Sequence, residues 1–184
     1  NWGKKIDYIE YQFSQMSKKY KNINEGINYY LGIWENAISY YNDNVVLKQE
    51  VKFVCHKRLG VNTDLLEFLN PLNFVIDYKE RDIGDYLKSY IINEKYTFDK
   101  LKNILNKLSH DKNDASRLIT RIMFPSFYFD KYEEIIINEE DDKSILIFNT
   151  KTNNYEDFLR FIFNYYKALG LPYLTWLFEN KKED

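Results

Sequence analysis

The stretch that decides the fold reads Val51-Lys52-Phe53-Val54-Cys55-His56-Lys57-Arg58-Leu59-Gly60-Val61-Asn62-Thr63-Asp64, followed by Asn73-Phe74-Val75-Ile76-Asp77. Residues 51–55 and 73–77 are short, β-branched and aromatic, with Gly60, Asn62, Asn70 and Pro71 between them. Branched and aromatic side chains suit a pleated surface, and Gly, Pro and Asn punctuate it, so the pattern predicts two brief strands joined by a loop. Polar groups gather on this element: His56, Lys57, Arg58, Asn62 and Asp64 follow the first strand, and Asp77 closes the second.

Outward from this element the period changes to that of helices. Upstream, Ile6, Ile9, Phe13, Met16 and Tyr20 recur three or four apart, and after a polar break at Lys21-Asn22 so do Ile23, Ile27, Tyr30, Leu31, Trp34, Ile38 and Tyr41. Such spacing stacks apolar side chains on one helical face, and the short break predicts an antiparallel pair with Trp34 in the core. Downstream, Ile83, Tyr86, Leu87 and Tyr90 form one helix, with Asp82 read as its N-terminal cap. Phe98, Leu101, Leu105 and Leu108 form the next, capped by Thr97. A helix through residues 117–124 should stop at Pro125, which has no backbone N–H and restricts the residue before it. The acidic cluster at residues 139–142 reads as a solvated turn, and residues 145–148 fit either element type. A last helix carries Phe158, Phe161, Ile162, Tyr165 and Leu169 up to Gly170 and Pro172, and a tail at residues 181–184 is expected to fray.

The expected fold class is mainly α, or α+β: a helical bundle with a small β-hairpin element. Residues 1–184 are read as a single domain, divided into a helical hairpin (1–43), a β-turn-β region (44–80) and a helical bundle (81–180). Lys and Arg total 26 against 28 Asp and Glu, a net charge of −2 that offers no field for nucleic acid or an acidic membrane. No apolar run approaches the roughly 20 residues that span a bilayer, so a soluble chain is expected. One cysteine, Cys55, forms no internal disulfide and suits a reducing compartment such as the cytoplasm. Aromatics reach 18%, more than one core readily absorbs, and two groups (Phe124, Phe127, Tyr128 and Phe129; Tyr165, Tyr166, Tyr173 and Trp176) offer a route to homodimerisation if exposed.

Phosphoryl transfer needs a carboxylate that accepts the substrate hydroxyl proton, together with an amide oxygen and a second carboxylate that hold Mg²⁺. The run from Val54 to Thr63, then Phe74-Val75-Ile76-Asp77 and Arg81-Asp82-Ile83, resembles the catalytic segment of aminoglycoside-phosphotransferase-like kinases, where an H-x-D-x-x-x-x-N loop precedes a strand ending in a metal-binding Asp. On that likeness His56 matches the loop His and Asp77 the metal ligand. Arg58 occupies the place of the catalytic Asp and Thr63 that of the Asn, with Asn62 one residue away and Asp64 a substitute by proximity alone. A guanidinium stays protonated near neutral pH, and losing a positioned base forfeits roughly 10²- to 10⁴-fold of rate.

Within that superfamily the chain resembles spore-coat-associated kinase-like proteins of the CotS type. The likeness rests on residues 29–38, the Cys55-His56-Lys57-Arg58 loop, residues 77–82, residues 121–130 and Leu169-Gly170-Leu171-Pro172 before Trp176-Leu177. It implies the C-terminal lobe of a kinase-like protein whose hairpin carries a degenerate catalytic loop. The N-terminal lobe is expected upstream, as a partner of this one. It further implies a catalytically inactive scaffold, made in the cytoplasm and assembled with spore-coat proteins, with no cofactor bound by this lobe. The alternatives are a small-molecule kinase using ATP and Mg²⁺ through Asp77, and a helical interaction module with no kinase ancestry. His110 sits in a polar turn without a second His at ligand spacing, so a zinc site is not expected.

Overall fold

The computed structural model describes residues 2–47, 51–93 and 97–179, with only the backbone at Trp2. Ten α-helices among the described residues surround one two-stranded sheet. Helices α1 (Trp2–Met16) and α2 (Lys21–Asn44) come first, then β1 (Phe53–His56), α3 (Leu65–Leu69) and β2 (Phe74–Asp77). There follow α4 (Glu80–Ile92), α5 (Phe98–Leu105), α6 (Lys112–Met123), α7 (Ser126–Asn138), α8 (Leu146–Asn149), α9 (Thr152–Tyr165) and α10 (Thr175–Glu179). The tail at residues 181–184 lies outside the described residues.

At about 1.5 Å per residue, the 24 residues of α2 span about 36 Å, and this length lets one helix serve two cores. Its first half sends Ile23, Ile27, Tyr30, Leu31 and Trp34 against Ile6 and Ile9 of α1, Tyr128, Phe129, Tyr132 and Ile135 of α7, and Ile145. Its second half sends Ala37 and Tyr40 into a larger cluster built by α4, α5, α6, α9 and α10. Trp34 is fully buried, in edge-on contact with Phe124, a residue that packs against both clusters. Gly26 permits a close approach of α2 to α8: a Cβ there would stand 2.1 Å from Asn149 Oδ1 and displace that side chain.

Several expected boundaries hold. Thr97 Oγ1 accepts from the Lys100 N–H at 3.2 Å and starts α5, and α6 ends at Met123 ahead of Pro125. The strands pair antiparallel with Phe53 opposite Asp77 and His56 opposite Phe74, so β1 lies slightly later than expected. The undecided stretch becomes a 3₁₀ turn, Asp142–Ile145, running into α8.

Two expectations are corrected. Asp142 is not a solvated turn residue: it is 8% exposed and accepts from Asn22 N (2.8 Å), Asn22 Nδ2 (2.7 Å) and Ile23 N (3.1 Å). It therefore supplies the cap that Tyr20 does not give to α2, meeting backbone donors that a helix start leaves open. The aromatic groups read as a dimerisation surface are mostly packed: Tyr128, Phe129 and Tyr166 are buried, Phe124, Phe127, Tyr165 and Trp176 are half-buried, and Tyr173 alone is exposed. The exposed apolar surface lies elsewhere. Of the eighteen large hydrophobics exposed among the described residues, twelve fall in residues 46–76, eight of them on the two strands and α3. Helix α3 buries no residue at all.

Candidate functional site

The hairpin sets the site by bringing its polar ends under α4. Arg81, in the first turn of α4, donates from Nε to the His56 carbonyl (2.7 Å), from Nη1 to Asp77 Oδ2 (2.9 Å) and from Nη2 to the Lys57 carbonyl (3.0 Å). One guanidinium thus ties together the two positions that sequence reading singled out, His56 and Asp77. Cys55, within β1, is 2% exposed, its thiol facing the Tyr78 carbonyl at 3.4 Å, and burial pushes its pKa up to about 11.

His56 is braced on both sides. Asp82 accepts from the His56 backbone N–H at 2.8 Å and lies 2.8 Å from Nδ1, while Nε2 faces the Phe68 carbonyl at 3.1 Å. Both ring nitrogens face acceptors, so neither is left to take a proton from a substrate. Phe68 also stacks on the imidazole, with centroids 4.5 Å apart. Asp82 is consequently not the cap of α4, whose N-cap is Lys79; its carboxylate turns back to hold the loop.

Arg58 reaches across to α7. Its Nε and Nη2 both bond to the Asp130 carboxylate, the latter at 2.8 Å, and Nη1 donates to the Lys57 carbonyl at 2.7 Å. Burial opposes its charge, but the Asp130 carboxylate outweighs that and raises the pKa further. Beneath it, Asp85 is 1% exposed, 3.0 Å from Lys88 Nζ and 3.9 Å from Arg58. Burial alone would raise the Asp85 pKa, yet Lys88 and Arg121 hold it below the usual carboxylate value. Lys88 is buried too, donating to the Phe124 carbonyl (2.9 Å) and Ser126 Oγ (2.7 Å), and desolvation lowers it to about 8.

The remaining loop residues serve local structure. Thr63 Oγ1 accepts from Gly60 N at 2.9 Å, and Asp64 caps α3 by accepting from Glu67 N at 2.8 Å. Asn62 donates to Asn93 Oδ1 at 3.0 Å, at the far end of α4 from Asp77. Twelve residues separate Arg81 from Asn93, about 18 Å along a helix, so Asn62 and Asp77 do not converge.

Mg²⁺ prefers an octahedron of oxygens at close to 2.1 Å. Asp77 instead has Oδ1 accepting from Tyr78 N (2.9 Å) and Oδ2 engaged by Arg81, with Arg121 Nη2 at 3.7 Å. Among the described residues, no group of three His, Cys, Asp or Glu side chains could hold a metal ion. This donor set, with two guanidinium groups beside the Asp77 carboxylate, does not fit a divalent cation.

A cleft of about 520 Å³ opens beside Asp77, bounded by Ile38 and Tyr41 of α2, Tyr78, and Arg117 and Arg121 of α6. Gly3 of α1 reaches the same cleft as Tyr41 and Asn42, so α1 and α2 run antiparallel as expected. Asp130, Asp85 and Arg121 escaped the sequence reading of the site. Arg121 and Asp130 lie in the segment 121–130 that carries the likeness but were given no role there, and only folding places them and Asp85 under the loop.

Fold and site together define a predominantly helical protein with a charge-locked β-hairpin. The chain belongs to the spore coat YutH family: that family's model, described as "Spore coat putative kinase YutH", matches residues 1–168. The endospore coat-associated protein YutH of Bacillus subtilis (strain 168) is 26% identical over 203 residues, an alignment that takes in 96% of this chain. The chain spans 60% of the length of that relative. No solved structure gives a significant match. The resemblance to spore-coat kinase-like proteins is thus met at the level of the YutH family.

Proposed function

We propose that this chain is the helical lobe of a catalytically inactive, kinase-like spore-coat protein, acting as a structural or assembly partner. The observation that carries the reading is Arg58 and its bidentate hold on Asp130. The likeness to the CotS type and to aminoglycoside phosphotransferases puts a proton acceptor at that position, and this chain puts a paired cation there. The arginine is also committed: releasing it would strand Asp130 and weaken the field that keeps Asp85 ionised. Asp77 is neutralised by Arg81, and His56 has no free ring nitrogen.

The name of the Bacillus subtilis relative supports placement on the spore coat. The partner reading draws on the apolar hairpin. Val54 and Ile76 stand opposite each other on one face of the sheet at 62% and 66% exposure, next to the uncovered α3. Exposed apolar area of this kind marks protein contact, here with an N-terminal lobe or with coat proteins.

Thermal shift with ATP and Mg²⁺ tests the proposal. Little stabilisation is expected; a large shift abolished by Asp77→Asn, or turnover on any hydroxyl acceptor, would overturn it.

A further inference from the structure

We infer that the cleft between α2, β2 and α6 is a metal-independent site for a small oxyanion carried on an aromatic or apolar body, with Arg121 receiving the anion. The volume of about 520 Å³ lies within the range of small-ligand pockets, roughly 300–1,000 Å³. Its walls suit such a body: Ile38 and Tyr41 on one side, and on the other Tyr78, whose ring lies 4.4 Å from the Arg117 guanidinium carbon.

The charges of the lining decide the sign of the ligand. Three arginines, 81, 117 and 121, face two carboxylates, Asp77 and Glu80. Arg81 is matched to Asp77 at 2.9 Å, and Arg117 to Asp114 at 2.5 Å and to Glu80 at 3.4 Å. Arg121 has no carboxylate of the lining within hydrogen-bond distance. Its Nε and Nη2 are buried without a hydrogen-bond partner, and the nearest Asp77 oxygen, at 3.7 Å, is too far to serve as one. The buried Asp85 makes its close contact with Lys88 and reaches Arg121 through its charge alone. Burial lowers the Arg121 pKa although Asp85 works in the opposite direction.

The geometry fixes the aliphatic base of this side chain and leaves its guanidinium at the cleft. Gly84 lets α4 lie against α6 so closely that a Cβ there would stand 2.9 Å from Arg121 Cγ. The side chain retains 14% exposure, on the edge that faces the cleft. An oxyanion meeting that edge draws the planar fork outward and satisfies its unmet donors, the recognition that guanidinium performs best. A metal cation placed there would instead oppose three arginines.

The inference stands apart from the non-catalytic reading, because binding tests one and turnover the other. Phenyl phosphate, inorganic phosphate and benzoate are titrated calorimetrically into the 184-residue chain in EDTA. Saturable binding of phenyl phosphate is expected, tighter than inorganic phosphate and weakened about 10- to 100-fold by Arg121→Gln. Asn42→Glu, a change at the exposed rim that leaves α4–α6 packing alone, should weaken binding by repulsion, while the remote Lys143→Gln should not. Circular dichroism checks that each variant is folded. No saturable binding by the native chain, equal binding by Asn42→Glu and native protein, or binding that appears only with Mg²⁺ and is lost in Asp77→Asn would overturn the inference.

Discussion

Arg58 and Asp130, 72 residues apart, are joined by two parallel hydrogen bonds that tie the loop after β1 to helix α7. The loop's other ties, from Lys57 to Arg81 and from Asn62 to Asn93, run to α4. Because α7 packs into one core and α4 into the other, this pair and the Asp85–Lys88 pair beneath it connect the hairpin to both halves of the molecule.

The Arg58–Asp130 pair is a third or more exposed, at 33% and 43%, so solvent screens it. A double-mutant cycle of Arg58→Met and Asp130→Asn should give a coupling of about 1 kcal/mol, falling in high salt. Urea unfolding measures it. A coupling of zero in low salt would mean that the loop is held by other contacts.

Asp85 and Lys88 behave differently because both are removed from water, at 1% and 3% exposure. Asp85→Asn leaves the buried Lys88 cation uncompensated and should cost about 3–5 kcal/mol. The joint change Asp85→Leu with Lys88→Met should cost much less, since no charge is then stranded. Lys88 also sets a pH dependence: its folded pKa near 8 is below the usual value, so the unfolded chain binds more protons between pH 8 and about 10. Its contribution to stability therefore rises with pH across that window and is lost in the Lys88→Met variant. A native minus Lys88→Met difference that falls with pH there would contradict this.

How much of this was legible follows from distance along the chain. The hairpin, the stop before Pro125 and the Thr97 cap are local events, written in β-branched runs, a missing N–H and a hydroxyl within three residues of its partner. The packing of Trp34 follows from helical period. The partners of the site do not: His56 finds Asp82 26 residues away and Arg58 finds Asp130 at 72. Asp142, read as a solvated acid, caps a helix 120 residues earlier. A charged residue's fate depends on what folding sets beside it, and period or composition carries no record of that.

Asp142 yields its own test. Asp142→Ala removes three hydrogen bonds at the start of α2 and should cost about 1–2 kcal/mol, the upper range for a lost helix cap. Asp142→Asn keeps one acceptor oxygen but turns an amide toward the donors, so an intermediate loss is expected. Glu140→Ala, an exposed acid of the same cluster that caps no helix, serves as the comparison and should change little. Equal effects at 140 and 142 would remove the capping role.

The tyrosines report the cores through alkaline titration. Burial holds the phenols of Tyr29, Tyr30, Tyr40, Tyr128, Tyr155 and Tyr166 far above their usual value and Tyr132 up to about 12. A raised folded pKa means these groups favour the folded state fully below the unfolded value of about 10, and that this favour is lost as pH rises beyond it. Absorbance at 295 nm should therefore show this buried set ionising together with loss of the helical circular dichroism signal. Smooth ionisation of these buried tyrosines around pH 10 with helix content unchanged would show that the two clusters admit water and that α2 does not bind them as the packing requires.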